Sequence, residues 1–430
     1  MYFFYSTLLA LALILGSPYW LWQALRHGKY RKGLSERLGG VPPRLQDSTR
    51  QSIWVHAVSV GEVLAVSELV ESLRHEFPEC KIVVSTTTDT GQKLAASRYG
   101  ADNVFYFPFD FAFSVRPWLA ALRPRLIVIA ETEFWPNFLR LSKDAGARVV
   151  VVNARISDRS FPGYRRWAAL LQRVIRPVDL FLAQTSEDAR RLSAIGAPVE
   201  KVVVAGNLKY DVPSPPELPI FRQLRAALQQ SDAGPVLVCG STVEGEEQIL
   251  RDAFEQVLAQ HPHAVMLLAP RHPERFGEVA ALLQESELQF RRRSEWNGES
   301  VAGKVLLIDT IGELSSLYAL ADIAFVGGSL VPRGGHNIIE PAQHGVPILV
   351  GEHTENFRDI IDLFKSRDAV RIARPDNLAA TFLRLLADDP ERRALGRRAA
   401  DTLASQRGAT EFTVARLREL LLPSREVTPA

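Results

Sequence analysis

Acidic and basic side chains recur directly behind apolar runs of this chain, and their types suit the transfer of a group carried on a nucleotide. Behind IWVHAV come Ser59, Val60, Gly61 and Glu62; behind RLIVIA come Glu131, Thr132 and Glu133; behind VVVAGN comes Lys209; behind AVMLLAP come Arg271 and His272. A carboxylate at a strand end can take a proton from an attacking hydroxyl. Lys and Arg suit a departing phosphate, and a second carboxylate suits positive charge developing at a sugar carbon. Together they fit a transition state that is oxocarbenium-like at the sugar and anionic at the leaving group. The Ser59-x-x-Glu62 spacing is equally that of a capping box, in which Glu62 would only satisfy backbone N–H groups at a helix start. The same spacing recurs at Ser241-x-x-Glu244 and Asn337-x-x-Glu340, and a capping box would explain all three as helix starts.

A further chemical feature is the stretch AFVGGSLVPRGGHNIIEPAQHGVPILVG, Ala324 to Gly351. It reads as a strand, a loop, a helix beginning at Asn337 and a second strand. Gly327, Gly328, Gly334 and Gly335 exceed what a turn needs and point to close approach of a ligand; the helix start would aim free N–H groups at a phosphate. Glu340 could hold ribose hydroxyls. There is no zinc-like His/Cys spacing, no Asp-x-Asp clamp, no P-loop ending and no GxGxxG behind a first strand, so metal-dependent, ATPase and dehydrogenase chemistry are disfavoured.

Those residues need elements to hold them. From Ser52 onward, apolar runs alternate with helical patterns, as parallel βαβ units do, and the runs are continuous enough to imply burial on both sheet faces. Seven runs precede DVPSPPELP and five follow it. The expected fold is therefore α/β, with two Rossmann-like doubly wound domains facing a cleft. An N-terminal domain spans 26–212, a linker 213–234 and a C-terminal nucleotide-binding domain 235–430.

The chain's 430 residues suit two such domains. With 51 Lys+Arg against 49 Asp+Glu, the net charge of +2 argues against nucleic acid as a partner. Cys80 and Cys239 stand in or beside apolar runs and read as buried thiols. Residues 1–25 carry no charged side chain, and Arg26, Lys29, Arg31, Lys32 and Arg37 follow. This reads as a membrane anchor with the remainder on the cytoplasmic side, either spanning the bilayer or, because Pro18 interrupts it, lying in the headgroup region. FPGYRRWAALLQRVIRP, Phe161 to Pro177, reads either as a solvated helix face or as a basic surface for anionic lipid.

Taken in series, YRKGLSERLG, VHAVSVGEV, TTTDTG, FPFDF, AETEFWPN, NARISDRSF, GNLKYD, GSTVEGEE, APRHPERF, DTIGEL, FVGGSLVPRGGHNIIEPA and GVPILVG resemble the membrane-anchored 3-deoxy-D-manno-octulosonic acid (Kdo) transferases of lipopolysaccharide synthesis. The resemblance implies a GT-B-type glycosyltransferase at the cytoplasmic face of the bacterial inner membrane. It would move Kdo from CMP-Kdo to lipid IVA with inversion and with neither metal nor cofactor. It implies Glu62 as general base, and Glu131 and Lys209 as stabilisers of the transition state. It also implies CMP-binding elements at Pro270 and Arg271, at Ile311, Gly312 and Glu313, and at Asn337, Ile338, Ile339 and Glu340. The alternative within the fold is another lipid-linked sugar-nucleotide transferase or a UDP-GlcNAc-type enzyme.

Overall fold

A computed structural model of the chain describes residues 1–27, 33–46, 50–212 and 217–422. It divides into two compact units: the residues up to Asp211 together with those from Gln406 onward, and Val212–Ser405. In the first unit, β1 (Ser52–His56), β2 (Lys81–Thr86), β3 (Val104–Tyr106), β4 (Pro124–Ala130), β5 (Arg148–Ala154), β6 (Leu180–Ala183) and β7 (Val202–Val204) form one parallel sheet in the order β3-β2-β1-β4-β5-β6-β7. Trp54, Val83, Phe105 and Ile127 face one buried cluster, while Ile53, Val55, Ile82 and Val84 face another. A core on each face is why these strands read as unbroken apolar runs.

The second unit repeats the plan with β8 (Val236–Thr242), β9 (Val265–Pro270), β10 (Phe290–Arg292), β11 (Val305–Leu307), β12 (Ile323–Val326), β13 (Ile348–Val350) and β14 (Arg371–Ile372), ordered β10-β11-β9-β8-β12-β13-β14. Every pairing is parallel. The runs anticipated five of these strands. The two edge strands, FRR and RI, escaped because three and two residues rich in arginine carry no apolar signal. In each sheet the chain reverses direction beside its first strand, between β1 and β4 and between β8 and β12; ligands gather at the carboxyl ends there.

Two boundaries differ from expectation. The helix Pro219–Gln230 occupies much of the expected linker and buries Ile220, Leu224, Ala227 and Leu228 in the second unit; residues 213–216 lie outside the described residues. The last helix, Ala409–Leu421, belongs to the first unit, not to a second domain running to 430. It adds Ala409, Leu417 and Leu421 to the cluster around Leu69, Val70 and Leu73, so apolar burial draws it there.

The N-terminal helix α1 (Tyr2–His27) continues through Pro18. Among the described residues no helix is long and apolar enough to cross a membrane, so a spanning anchor finds no support there. One side of α1 is docked: Asn137 Nδ2 donates to Ser6 Oγ at 3.0 Å and the Arg140 guanidinium lies over the Tyr2 ring. The other side exposes Phe3, Phe4, Leu8, Leu11, Ile14, Leu15 and Trp22. Lys29, Arg31 and Lys32 lie outside the described residues.

Candidate active site

The first unit assembles its candidate groups at the carboxyl ends of β1, β4 and β7. Behind β1, Ser59 caps α2 (Val60–Ala65), its Oγ accepting from Glu62 N at 3.4 Å. In return Glu62 Oε1 accepts from Ser59 Oγ at 2.9 Å and Oε2 from Val58 N at 2.8 Å. The capping box is therefore real, but it does not exhaust the side chain, since a carboxylate has about four acceptor sites and only two are engaged. Glu62 is only 9% exposed. Burial pushes its pKa up to about 7, opposed by the Val58 N–H and reinforced by the Glu131 charge. A helix N-terminus by itself favours the ionised form, but desolvation outweighs it and leaves a carboxyl that titrates near neutrality.

Glu131, behind β4, takes φ of +57°, a left-handed backbone that a residue with a Cβ adopts at a cost. Its N–H bonds Val152 O at 2.9 Å. Lys209 Nζ stands 3.3 Å from Glu131 Oε1, with both side chains about one-third exposed (31% and 28%) and so open to a ligand. Glu133 is also within electrostatic reach of Glu62, and burial raises its own pKa. Glu131 thus pairs with Lys209 and lies within electrostatic reach of Glu62.

In the second unit, Pro270 closes β9 and Arg271 N bonds Thr242 O at 2.9 Å, leaving the Arg271 side chain exposed. Burial raises the pKa of Glu340 while Arg271 lowers it, so the two lie close. His336 joins them: burial first, then the charges of Arg271 and His272, lower its pKa to about 4, and its Nε2 is buried without a partner. Asn337 Oδ1 accepts from Ile339 N at 3.1 Å. Ile338 and Ile339 are buried, so only their backbone can serve a ligand. Behind β11, Ile311 is exposed, Gly312 has φ of +87°, and Glu313 is held by Arg293 at 3.0 Å and by Thr310. Glu313 is committed to that pair and is not brought onto Arg271.

The glycine-rich stretch works differently from expectation. Its helix runs only over Ile339–Gln343, two residues later than Asn337. The N–H groups of Gly328, Ser329 and Leu330 are taken by the protein's own Glu246, at 2.7, 2.9 and 2.9 Å, and Val243 N adds a fourth bond at 3.1 Å. This carboxylate is fully buried at the start of the helix Glu246–Gln260. Glu244, the expected cap partner of Ser241, points to solvent. Glycine is needed for backbone packing: a Cβ on Gly351 would lie 2.0 Å from Ser329 O, and one on Gly327 2.5 Å from Ser241 O. Glu246 escaped sequence reasoning because GSTVEGEE offers three glutamates and spacing favours the wrong one.

The family model described as 3-deoxy-D-manno-octulosonic-acid transferase (kdotransferase) matches residues 32–212. The 3-deoxy-D-manno-octulosonic acid transferase of Haemophilus influenzae is 35% identical over 99% of each chain. That of Bordetella pertussis is 35% identical over 94% of this chain and 95% of its own. A solved UDP-GlcNAc 2-epimerase from Neisseria meningitidis, bound to UDP-GlcNAc, is only 12% identical, covers 86% of this chain and 100% of its own, and has a TM-score of 0.54; it is a likeness of fold alone. Two parallel-sheet α/β units and 35% identity over nearly the full length of curated Kdo transferases place this chain in the Kdo transferase family of glycosyltransferases.

Proposed function

We propose that the protein transfers Kdo from CMP-Kdo to a hydroxyl of lipid IVA by direct, inverting attack, with Glu62 as general base. The observation that carries this is the Glu62 carboxyl: it is buried, raised to about 7 and beside Glu131, yet retains free acceptor sites for a hydroxyl proton. As the alcohol attacks the anomeric carbon, Glu62 takes its proton. Lys209 suits the sugar carboxylate and Glu131 the developing positive charge. The second unit supplies the cytidylate contacts through Arg271, Asn337 and Glu340, and Arg271 meets the single departing phosphate. The metal-independent reading rests on the sequence, which carries no Asp-x-Asp clamp.

In the same reading α1 lies in the membrane interface at the cytoplasmic face of the inner membrane, where a soluble donor meets a lipid acceptor. Its exposed Phe4, Leu8, Leu11 and Leu15 recur at helical spacing opposite the docked Tyr2 and Ser6, and Trp167 and Leu170 lie exposed beside Arg165 and Arg166. Incubation with lipid IVA and either CMP-Kdo or UDP-GlcNAc, followed by mass spectrometry, tests the function. Kdo-sized increments with CMP-Kdo alone are expected, and a product formed only from UDP-GlcNAc would overturn it.

A further inference from the structure

We propose that Asn153 is a positioning residue for Lys209 and for its ion pair with Glu131, an inference that rests on the roles given to those two residues above. In the sheet, β7, which leads to Lys209, lies three strands from β4, which leads to Glu131. At the usual strand spacing that is roughly 14 Å. Lys209 Nζ nevertheless reaches within 3.3 Å of Glu131 Oε1. The chain behind β7 must therefore turn back across the ends of β6 and β5, and something must hold it there.

Asn153 does so. Its Oδ1 accepts from Leu208 N at 3.0 Å, one residue before Lys209, and Asn207 Oδ1 then accepts from Lys209 N at 3.0 Å. The preceding residue, Val152, accepts the Glu131 N–H through its carbonyl. One dipeptide at the end of β5 thus fixes the backbone of both members of the ion pair.

Asn153 holds this place against two penalties. Its φ is +54°, where glycine would be unstrained, and it sits at the irregularity in β5–β6 pairing between Val151 and Ala154. The side chain is 2% exposed and Nδ2 is buried with no partner. Glycine would remove both costs but would also remove the acceptor for Leu208 N. Strain retained at one residue beside a site marks a constraint other than stability.

The test uses the full-length protein and two readouts: the rate of Lys209 modification by an amine-acetylating reagent, mapped by mass spectrometry without turnover, and steady-state transfer with CMP-Kdo and lipid IVA. Asn153→Gly suits the backbone, so a merely structural asparagine predicts unchanged turnover and labelling. We expect faster labelling of Lys209 and a kcat lowered by about 10- to 100-fold, with KM for CMP-Kdo unchanged. Asn153→Asp keeps an oxygen facing Leu208 N and should restore labelling and turnover toward wild type; it also serves if the glycine variant does not fold. Wild-type labelling in Asn153→Gly, or labelling of Lys209 in Asn153→Asp as fast as an exposed lysine, overturns the inference. Faster labelling in Asn153→Gly with a wild type that transfers no Kdo leaves it standing and overturns the functional reading; Kdo transfer by wild type with unchanged labelling does the reverse.

Discussion

Glu62→Gln separates the two tasks open to this side chain, capping α2 and accepting a proton. In the folded protein burial moves the carboxyl from 4.5 to about 7, a difference worth about 3 kcal/mol at about 1.4 kcal/mol per unit. The native state holds this proton more tightly than the unfolded chain. The corresponding stability is fully present below the unfolded pKa and is lost as pH rises through the folded one. Between about pH 5.5 and 8.5 wild type should lose about 2 kcal/mol through this group. Glutamine has no proton to lose and keeps one acceptor oxygen for the cap, so the variant should gain about 2 kcal/mol on wild type across the same interval. Comparing the two proteins by urea denaturation at each pH cancels every other titrating group. Turnover should behave oppositely, falling about 10²- to 10⁴-fold, and the limb of the wild-type pH–rate profile near 7 should vanish. Equal turnover with an unchanged profile would exclude Glu62 as the base, and a stability gap that does not move with pH would exclude its raised pKa.

Glu246→Gln leaves about two of four loop N–H donors unpaired; it should cost about 2–5 kcal/mol in urea denaturation and weaken CMP binding by calorimetry. Gly351→Ala should produce a similar loss of CMP binding, because the added methyl meets Ser329 O, a backbone atom, at 2.0 Å. Arg271→Ala, at an exposed side chain, should leave the melting temperature unchanged while raising KM for CMP-Kdo by about 10- to 100-fold in steady-state assays. Replacing Leu8 and Leu15 together by Asp should release the protein from vesicles containing anionic lipid in a flotation assay, with transfer to a detergent-solubilised acceptor retained.

Legibility in the sequence followed the range of the interaction. Apolar periodicity is local, so the runs behind β1 to β9 and β11 to β13 announced two parallel sheets, and Glu62, Glu131, Lys209 and Arg271 could be placed at strand ends before any coordinates. Local rules also produced the errors. The capping pattern was correct at Ser59 and Glu62, whereas at Ser241 it pointed to Glu244, because spacing cannot say which of several glutamates turns inward. The same limit hid the destination of the last helix, whose apolar face could have joined either core.

The residues of the chain thus carry the inventory of chemical groups: the carboxyls of Glu62 and Glu131, the amine of Lys209, the guanidinium of Arg271, and the strands that end beside them. Folding settled the quantities that depend on distant partners. Burial raised Glu62 to about 7. Glu246 filled a glycine loop that otherwise reads as a phosphate site. Asn153 drew Lys209 back across two strand ends to Glu131. Desolvation and hydrogen bonding between segments far apart in the chain exist only once those segments meet, and no window of neighbouring residues encodes them.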